Sequence, residues 1–129
     1  MKAITVQQPY AALIAEGIKE YEFRTWKTAY RGPLLIHAGK GKDKKACDRF
    51  ASYGLEYPAG AVIAKVELTD CIVVDDAFRR LLREKNTDVY AGVINNPAWK
   101  GYAFKLGRVE KLAPVPMKGK LSLWECEIG

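Results

Sequence analysis

Gly17-Ile18-Lys19-Glu20-Tyr21-Glu22-Phe23-Arg24 reads as G-x-K-x-x-E-x-R and lies where a helix must turn into a sheet. Upstream, Pro9 to Glu16 predicts a helix. Pro9 suits a first turn, and Tyr10, Leu13 and Ile14 fall on one face. Gly17 is its natural stop. Downstream, Glu20 to Thr25 alternates polar and aromatic residues. Glu20, Glu22 and Arg24 then share one strand face, and Tyr21 and Phe23 the other. The segment therefore collects a lysine, a carboxylate and an arginine on rigid elements. Such a constellation is a better candidate site than charges on a free loop.

Working outward, Ala3 to Val6 reads as a short strand. Tyr30-Arg31-Gly32-Pro33 is a turn, and Leu34-Leu35-Ile36-His37-Ala38 a largely buried strand. Gly39-Lys40-Gly41-Lys42 reads as a flexible basic loop, and Asp43 caps a helix running to about Ser52. A long strand covers Ala61 to Val74, with a bulge expected near Asp70. Asp75-Asp76 opens a helix with Phe78, Leu81 and Leu82 inward and Arg79, Arg80 and Arg83 outward. Asn95-Asn96-Pro97 is a turn, and Trp99 to Val109 holds another strand. Pro114-Val115-Pro116 suits only an edge or extended segment, and Leu123 to Ile128 closes as a short strand. No repeat or linker interrupts the pattern, and βαβ units are not expected. The expected fold is α+β, mainly β: a small, mostly antiparallel barrel of about six strands, with two or three short helices plugging its ends.

The chain has 129 residues and a net charge of +6, and residues 1–129 read as one domain. The charge is unevenly spread. Residues 1–50 hold ten Lys/Arg against five Asp/Glu, whereas residues 51–129 hold eleven against ten. The basic excess thus lies in the half that carries G-x-K-x-x-E-x-R, and an anionic partner such as nucleic acid is the natural reading. No apolar run approaches the roughly 20 residues of a membrane span, and no signal-peptide core is seen, so no membrane partner is expected. Cys47, Cys71 and Cys126 match neither a disulfide framework nor a zinc pattern. Idle thiols in a reducing compartment follow, and a cytoplasmic location is expected.

Several ordered motifs together resemble one family. They are Gln8-Pro9-Tyr10, G-x-K-x-x-E-x-R itself, Trp26, and Tyr30 through Ala38. Gly60 through Leu68 and Val115 through Glu125 extend the match along nearly the whole chain. They resemble the ASCH (activating signal cointegrator homology) family. The resemblance implies a β-barrel similar to the PUA domain of RNA-modifying enzymes, with a cleft beneath the motif. It also implies binding of RNA or other nucleic acids. Some members are assigned ribonuclease activity, and a related group hydrolyses the amide of N4-acetylcytidine. At the position of Glu22 that hydrolase group carries a threonine hydroxyl, taken as the nucleophile, so the likeness to its chemistry stops there.

The candidate site residues follow from both readings. Lys19 can hold phosphate as a point charge or, partly desolvated, act as a base; the plain alternative is a surface lysine at a helix end. Glu22 and Arg24 can touch across one strand face. They can form a pocket floor that meets the exocyclic amine of cytosine, or they can be an exposed ion pair. Lys19 and Glu22 are the acid–base pair if the protein is an enzyme. Tyr10, Trp26 and Tyr30 bracket the motif as stacking candidates or as core, and Arg31 is a second phosphate ligand. His37, the only histidine, sits in an apolar strand as a hydrogen-bonded residue or, if its strand end opens on the cleft, an acid or base. Lys40 belongs to the basic loop at the cleft mouth. No Cys/His set stands at ligand spacing, so neither metal nor other cofactor is expected. Ser122 has no catalytic partners nearby, and G-x-S-x-G is absent. The reading is thus a binder of RNA or a modified nucleotide in a basic cleft. Its rivals are a hydrolase and a protein-interaction module, and a larger complex that supplies specificity is compatible with either.

Overall fold

A computed structural model describes residues 1–128. Six strands form one mixed sheet: β1 (Lys2–Gln8), β2 (Tyr21–Arg24), β3 (Gly32–Lys42), β4 (Ala61–Val73), β5 (Tyr102–Pro116) and β6 (Leu123–Glu125). Their order across the sheet is β2-β5-β4-β3-β1-β6. All neighbours are antiparallel except β1 and β3, which run parallel, with Ile4 opposite Ile36 and Thr5 opposite His37. A parallel pair needs a crossover. Here it contains α1 (Tyr10–Ala15) and β2, an arrangement the sequence reading did not expect. The remaining helices are α2 (Lys44–Arg49), α3 (Asp76–Lys85) and α4 (Ala91–Ile94), with a single 3-10 turn at Ala51–Tyr53. The expected two or three helices are therefore four short ones.

The expected barrel is an open, curled sheet: among the described residues, edge strands β2 and β6 do not pair with each other. The interior is still filled as a barrel would be. Every residue of α1 from Ala11 to Ala15 is buried. An all-apolar helix has no solvent face and belongs inside. It packs with Ile4, Val6, Leu34, Ile36, Val66, Leu68 and Phe104 in the main core. Each fully buried branched side chain there contributes roughly 1.5–3 kcal/mol of transfer free energy. Gln8 serves as the polar anchor of this helix. Its Oε1 accepts from the Ala12 N–H at 2.9 Å, and its Nε2 donates to the Pro58 carbonyl at 2.9 Å.

A second core lies under α2, α3 and α4, with Leu13, Tyr21, Phe50, Phe78, Leu82 and Tyr90. Asp43 and Asp75 cap α2 and α3 as expected, accepting from the Ala46 and Phe78 N–H groups. The register of β4 against β5 shifts between Leu68 and Asp70, which is the expected bulge.

Two local expectations are corrected. Gly39 to Lys42 is not a loop: it continues β3, because parallel pairing with β1 extends to Gln8 opposite Lys42. Arg79 is not on the outer face of α3. It is 4% exposed. Its guanidinium donates to the carbonyls of Val93, Asn96 and Trp99. Leu81, expected inward, is exposed instead. A guanidinium that satisfies three carbonyls at once is worth burying where an aliphatic chain would leave them unpaired.

Candidate functional site

The site begins at the end of α1. The N–H groups of Ile18 and Lys19 both donate to the Leu13 carbonyl, and that of Gly17 to Ile14. Gly17 has φ +74°, a conformation that favours glycine, so the chain reverses there. This turn brings the Lys19 side chain against β2, where it is 3% exposed. Lys19 Nζ donates to the Tyr21 carbonyl and, at 3.0 Å, to Glu22 Oε1. It lies 5.0 Å from the centre of the Phe23 ring. Glu22 Oε2 accepts from Arg24 Nε at 3.1 Å and from Arg24 Nη2 at 2.8 Å. The same Nη2 donates to the Thr5 carbonyl on β1 at 2.7 Å. Arg24 therefore ties edge strand β2 to β1, across the seam where the sheet does not close.

Burial and pairing compete in this cluster. Burial opposes ionisation of Glu22, but the charges and hydrogen bonds of Lys19 and Arg24 outweigh it and hold the carboxyl below its usual range. Burial is also the largest effect on Lys19, and it lowers the ammonium pKa despite the Glu22 partner. Neither is an exposed ion pair of negligible strength. Removing one member of such a buried cluster leaves an uncompensated charge.

A cavity of about 420 Å³ opens over Lys19, Glu22 and Arg24. Sites for small ligands commonly have this size. Thr5 and Gln7 of β1, Tyr10 of α1 and Phe23 of β2 form its walls, with Tyr90 and Val93 opposite. Tyr90 is buried edge-on to Phe23, and its hydroxyl accepts from the Glu20 N–H at 2.8 Å. Burial pushes its phenol up to about 12.

Of the residues expected at the site, Tyr10, Lys19, Glu22 and Arg24 meet in this cavity. The others lie elsewhere. Trp26 packs edge-on against Phe104 at 5.2 Å, with the main core. The Tyr30 hydroxyl donates to the Pro33 carbonyl at 2.5 Å. Arg31 donates to the carbonyls of Thr28 and Tyr30, and its guanidinium lies 3.9 Å from Asp70. His37 and Lys40 line a separate cleft that shares Thr5 with the first. Among the described residues, no three His, Cys, Asp or Glu side chains are grouped to hold a metal.

Sequence reasoning missed the wall formed by residues 86–94. A usable signal was present. Asn86 Oδ1 accepts from the N–H groups of Asp88 and Val89, a side-chain turn, and apolar Val89, Tyr90, Val93 and Ile94 follow at helical spacing. Thr5 and Gln7 carried no such signal, because only strand pairing brings them to the cavity.

The ASCH domain pattern matches residues 4–112 of the chain. The chain belongs to the ASCH domain family. Its sequence is 27% identical to human activating signal cointegrator 1 over 139 aligned residues, which span 96% of this chain and 22% of that protein. The mouse counterpart is 26% identical over the same shares. The chain thus spans about a fifth of the length of these relatives. The crystal structure of ASCH from Zymomonas mobilis superposes with a TM-score of 0.62 at 19% identity, covering 98% of this chain and 87% of that one. A mutant form of the same Zymomonas mobilis protein gives 0.64 at 17% identity, covering 98% and 90%. Both share the fold of this ASCH protein. Among the described residues, no helix is long and apolar enough to cross a membrane. The cavity of this ASCH protein has fixed charges on its floor and aromatic rings in its walls.

Proposed function

We propose that this ASCH protein, as one unit over residues 1–129, binds RNA by taking one base, plain or modified, into the cavity above Lys19, Glu22 and Arg24. The observation that supports this most is the partial saturation of the floor. A carboxylate has about four lone-pair directions. Lys19 and Arg24 use three of those on Glu22. An ammonium has three N–H groups, and Tyr21 and Glu22 use two of those on Lys19. One acceptor and one donor remain side by side, fixed by their own partners. That pair suits a base edge that presents an amine beside a ring nitrogen or carbonyl, as cytosine does. Tyr10 supplies a ring for stacking. Lys19 is then a floor residue that contacts the base, not a phosphate ligand.

A second reading draws on the lowered pKa of Lys19. A desolvated lysine is a candidate general base, so the cavity could hydrolyse an N4-acetylcytidine-type amide or cleave RNA. Glu22 is the weaker half of that scheme, since both of its oxygens are engaged and it stays ionised.

One experiment separates the readings. N4-acetylcytidine is incubated with wild type and with Lys19→Met while its ultraviolet band is followed, and binding of a short single-stranded RNA is titrated in parallel. RNA binding that weakens in Lys19→Met, with no spectral change in either protein, supports the binder. Loss of the acetylcytidine band with wild type alone would establish the hydrolase. Absence of both binding and turnover would overturn both.

A further inference from the structure

The cleft that holds His37 is built around a segment the base cavity does not use. Residues 117–121 line the cleft as a strap beside Thr5 of β1 and His37 of β3. The Met117 N–H donates to the Gly60 carbonyl at 3.0 Å. The Met117 carbonyl lies 2.7 Å from His37 Nε2. A carbonyl only accepts, so Nε2 carries the proton. Nδ1 then accepts from the Thr5 hydroxyl at 3.2 Å. Gly119 seats the strap by close approach: a Cβ there would stand 2.5 Å from Thr5 Oγ1 and 2.8 Å from the His37 ring.

The strap is strongly basic where it faces the cleft. Lys118 and Lys120 line one side and Lys40 of β3 the other, around a space of about 520 Å³. Among the described residues, no carboxylate lines it. Among the described residues, none of the three lysines takes part in an ion pair. All three are exposed, whereas the buried cations are held by partners, Lys19 by Glu22 and Arg79 by three carbonyls and Asp76. Three unpaired lysines converging on one space are a site for an anion held by point charges.

Thr5 joins this cleft to the base cavity. Its carbonyl accepts from Arg24 and its hydroxyl pairs with His37. A continuous polar chain, Glu22 to Arg24 to Thr5 to His37 to Met117, fixes the position of the strap relative to the cavity floor. We infer that the cleft of Lys40, Lys118 and Lys120 holds the phosphate backbone of a single-stranded RNA next to the nucleotide whose base enters the cavity. The ligand is then an oligonucleotide and not a free nucleoside. This rests on the base-binding reading of the cavity and goes beyond it by assigning a second subsite. His37 is a positioning residue within it, holding the strap without touching the ligand.

The test measures anisotropy of a fluorescein-labelled single-stranded RNA octamer over a range of potassium chloride concentrations. Wild type is compared with Lys118→Ala/Lys120→Ala, Gly119→Ala and Lys19→Met. The lysine pair lies on the surface strap, so its removal leaves the fold intact. The double variant is expected to bind several-fold more weakly. The slope of log affinity against log salt should fall by roughly 1.4, about 0.7 per phosphate contact. Gly119→Ala keeps every charge but displaces the strap, and should weaken binding in the same direction. If the octamer binds wild type and both strap variants equally, with the same slope, the phosphate subsite is overturned while the cavity reading stands. If the strap variants weaken binding but Lys19→Met does not, the subsite stands as a nucleic-acid site and its link to the cavity is overturned. If wild type does not bind the octamer at all, both fall.

Discussion

Glu22 links Lys19 and Arg24 at the scale of single residues. Its folded pKa lies below its ordinary value of 4.5, because the Lys19 and Arg24 charges outweigh burial. The stabilisation this gives is complete above the unfolded value and is lost as pH falls through the folded one. Lys19 has the opposite sign. A lysine whose folded pKa lies below 10.5 carries a penalty at neutral pH, and stability from this residue rises as pH climbs from the folded pKa toward 10.5. Glu22→Gln is therefore expected to cost about 3 kcal/mol at pH 7, read from urea unfolding, and to flatten the acid limb of the stability profile below the ordinary carboxylate range. An unchanged acid limb would remove Glu22 from this role. Lys19→Met combined with Glu22→Gln should cost less than the two separate losses together, since they share one interaction.

Tyr90 gives a second residue-level readout. Burial raises its phenol from 10 to about 12, so its neutral form is the one the fold favours. Stability from Tyr90 is present below pH 10 and declines as pH rises toward 12. An absorbance titration near 295 nm should show one tyrosine ionising about two pH units after the exposed ones, and Tyr90→Phe should abolish that late phase.

At the scale of elements, two contacts hold the cavity wall in place. Arg79 of α3 binds the carbonyls of Val93, Asn96 and Trp99 and so anchors the segment that includes α4. Arg79→Met should strand these carbonyls and lower stability by about 3 kcal/mol in chemical denaturation, and the proposed function adds that RNA affinity falls with it, because Val93 lines the cavity. Gly101 precedes β5. A Cβ there would meet the Arg24 carbonyl at 2.5 Å and the Trp99 ring at 2.4 Å. The first of these is backbone and cannot rotate aside. Gly101→Ala should therefore cost about 1–3 kcal/mol and displace β2, seen as a lower urea midpoint. The helix pattern of α3 explains why Arg79 misled the sequence reading. A charged residue beside two more arginines looks like a solvated face until three stray carbonyls are placed beside it. The caps of α2 and α3 and the bulge near Asp70 were legible, because each depends on residues close in sequence.

At the scale of the whole molecule, the curled sheet leaves its seam between β2 and β1 to a side chain. Arg24 bridges it through the Thr5 carbonyl. Arg24→Ala is expected to raise hydrogen exchange at the β2 amides by at least about tenfold while β3 and β4 stay protected. Equal exchange in both proteins would mean that pairing with β5 alone holds β2.

The sequence by itself determined the family, the mainly-β fold class, the helix stop at Gly17 and the meeting of Lys19, Glu22 and Arg24. The family rests on ordered motifs spread along the chain, and the others on local periodicity and on residues within a few positions of one another. Tertiary structure decided the rest. Parallel pairing of β1 with β3 extended a strand through a glycine- and lysine-rich segment and brought Thr5 to the centre of the site. Folding of α3 against residues 93–99 buried an arginine. The same folding split the candidate residues, gathering four in one cavity and placing His37 and Lys40 in another. Burial and partner choice are set by residues distant in the chain, and one-dimensional spacing carries no information about which distant groups will meet.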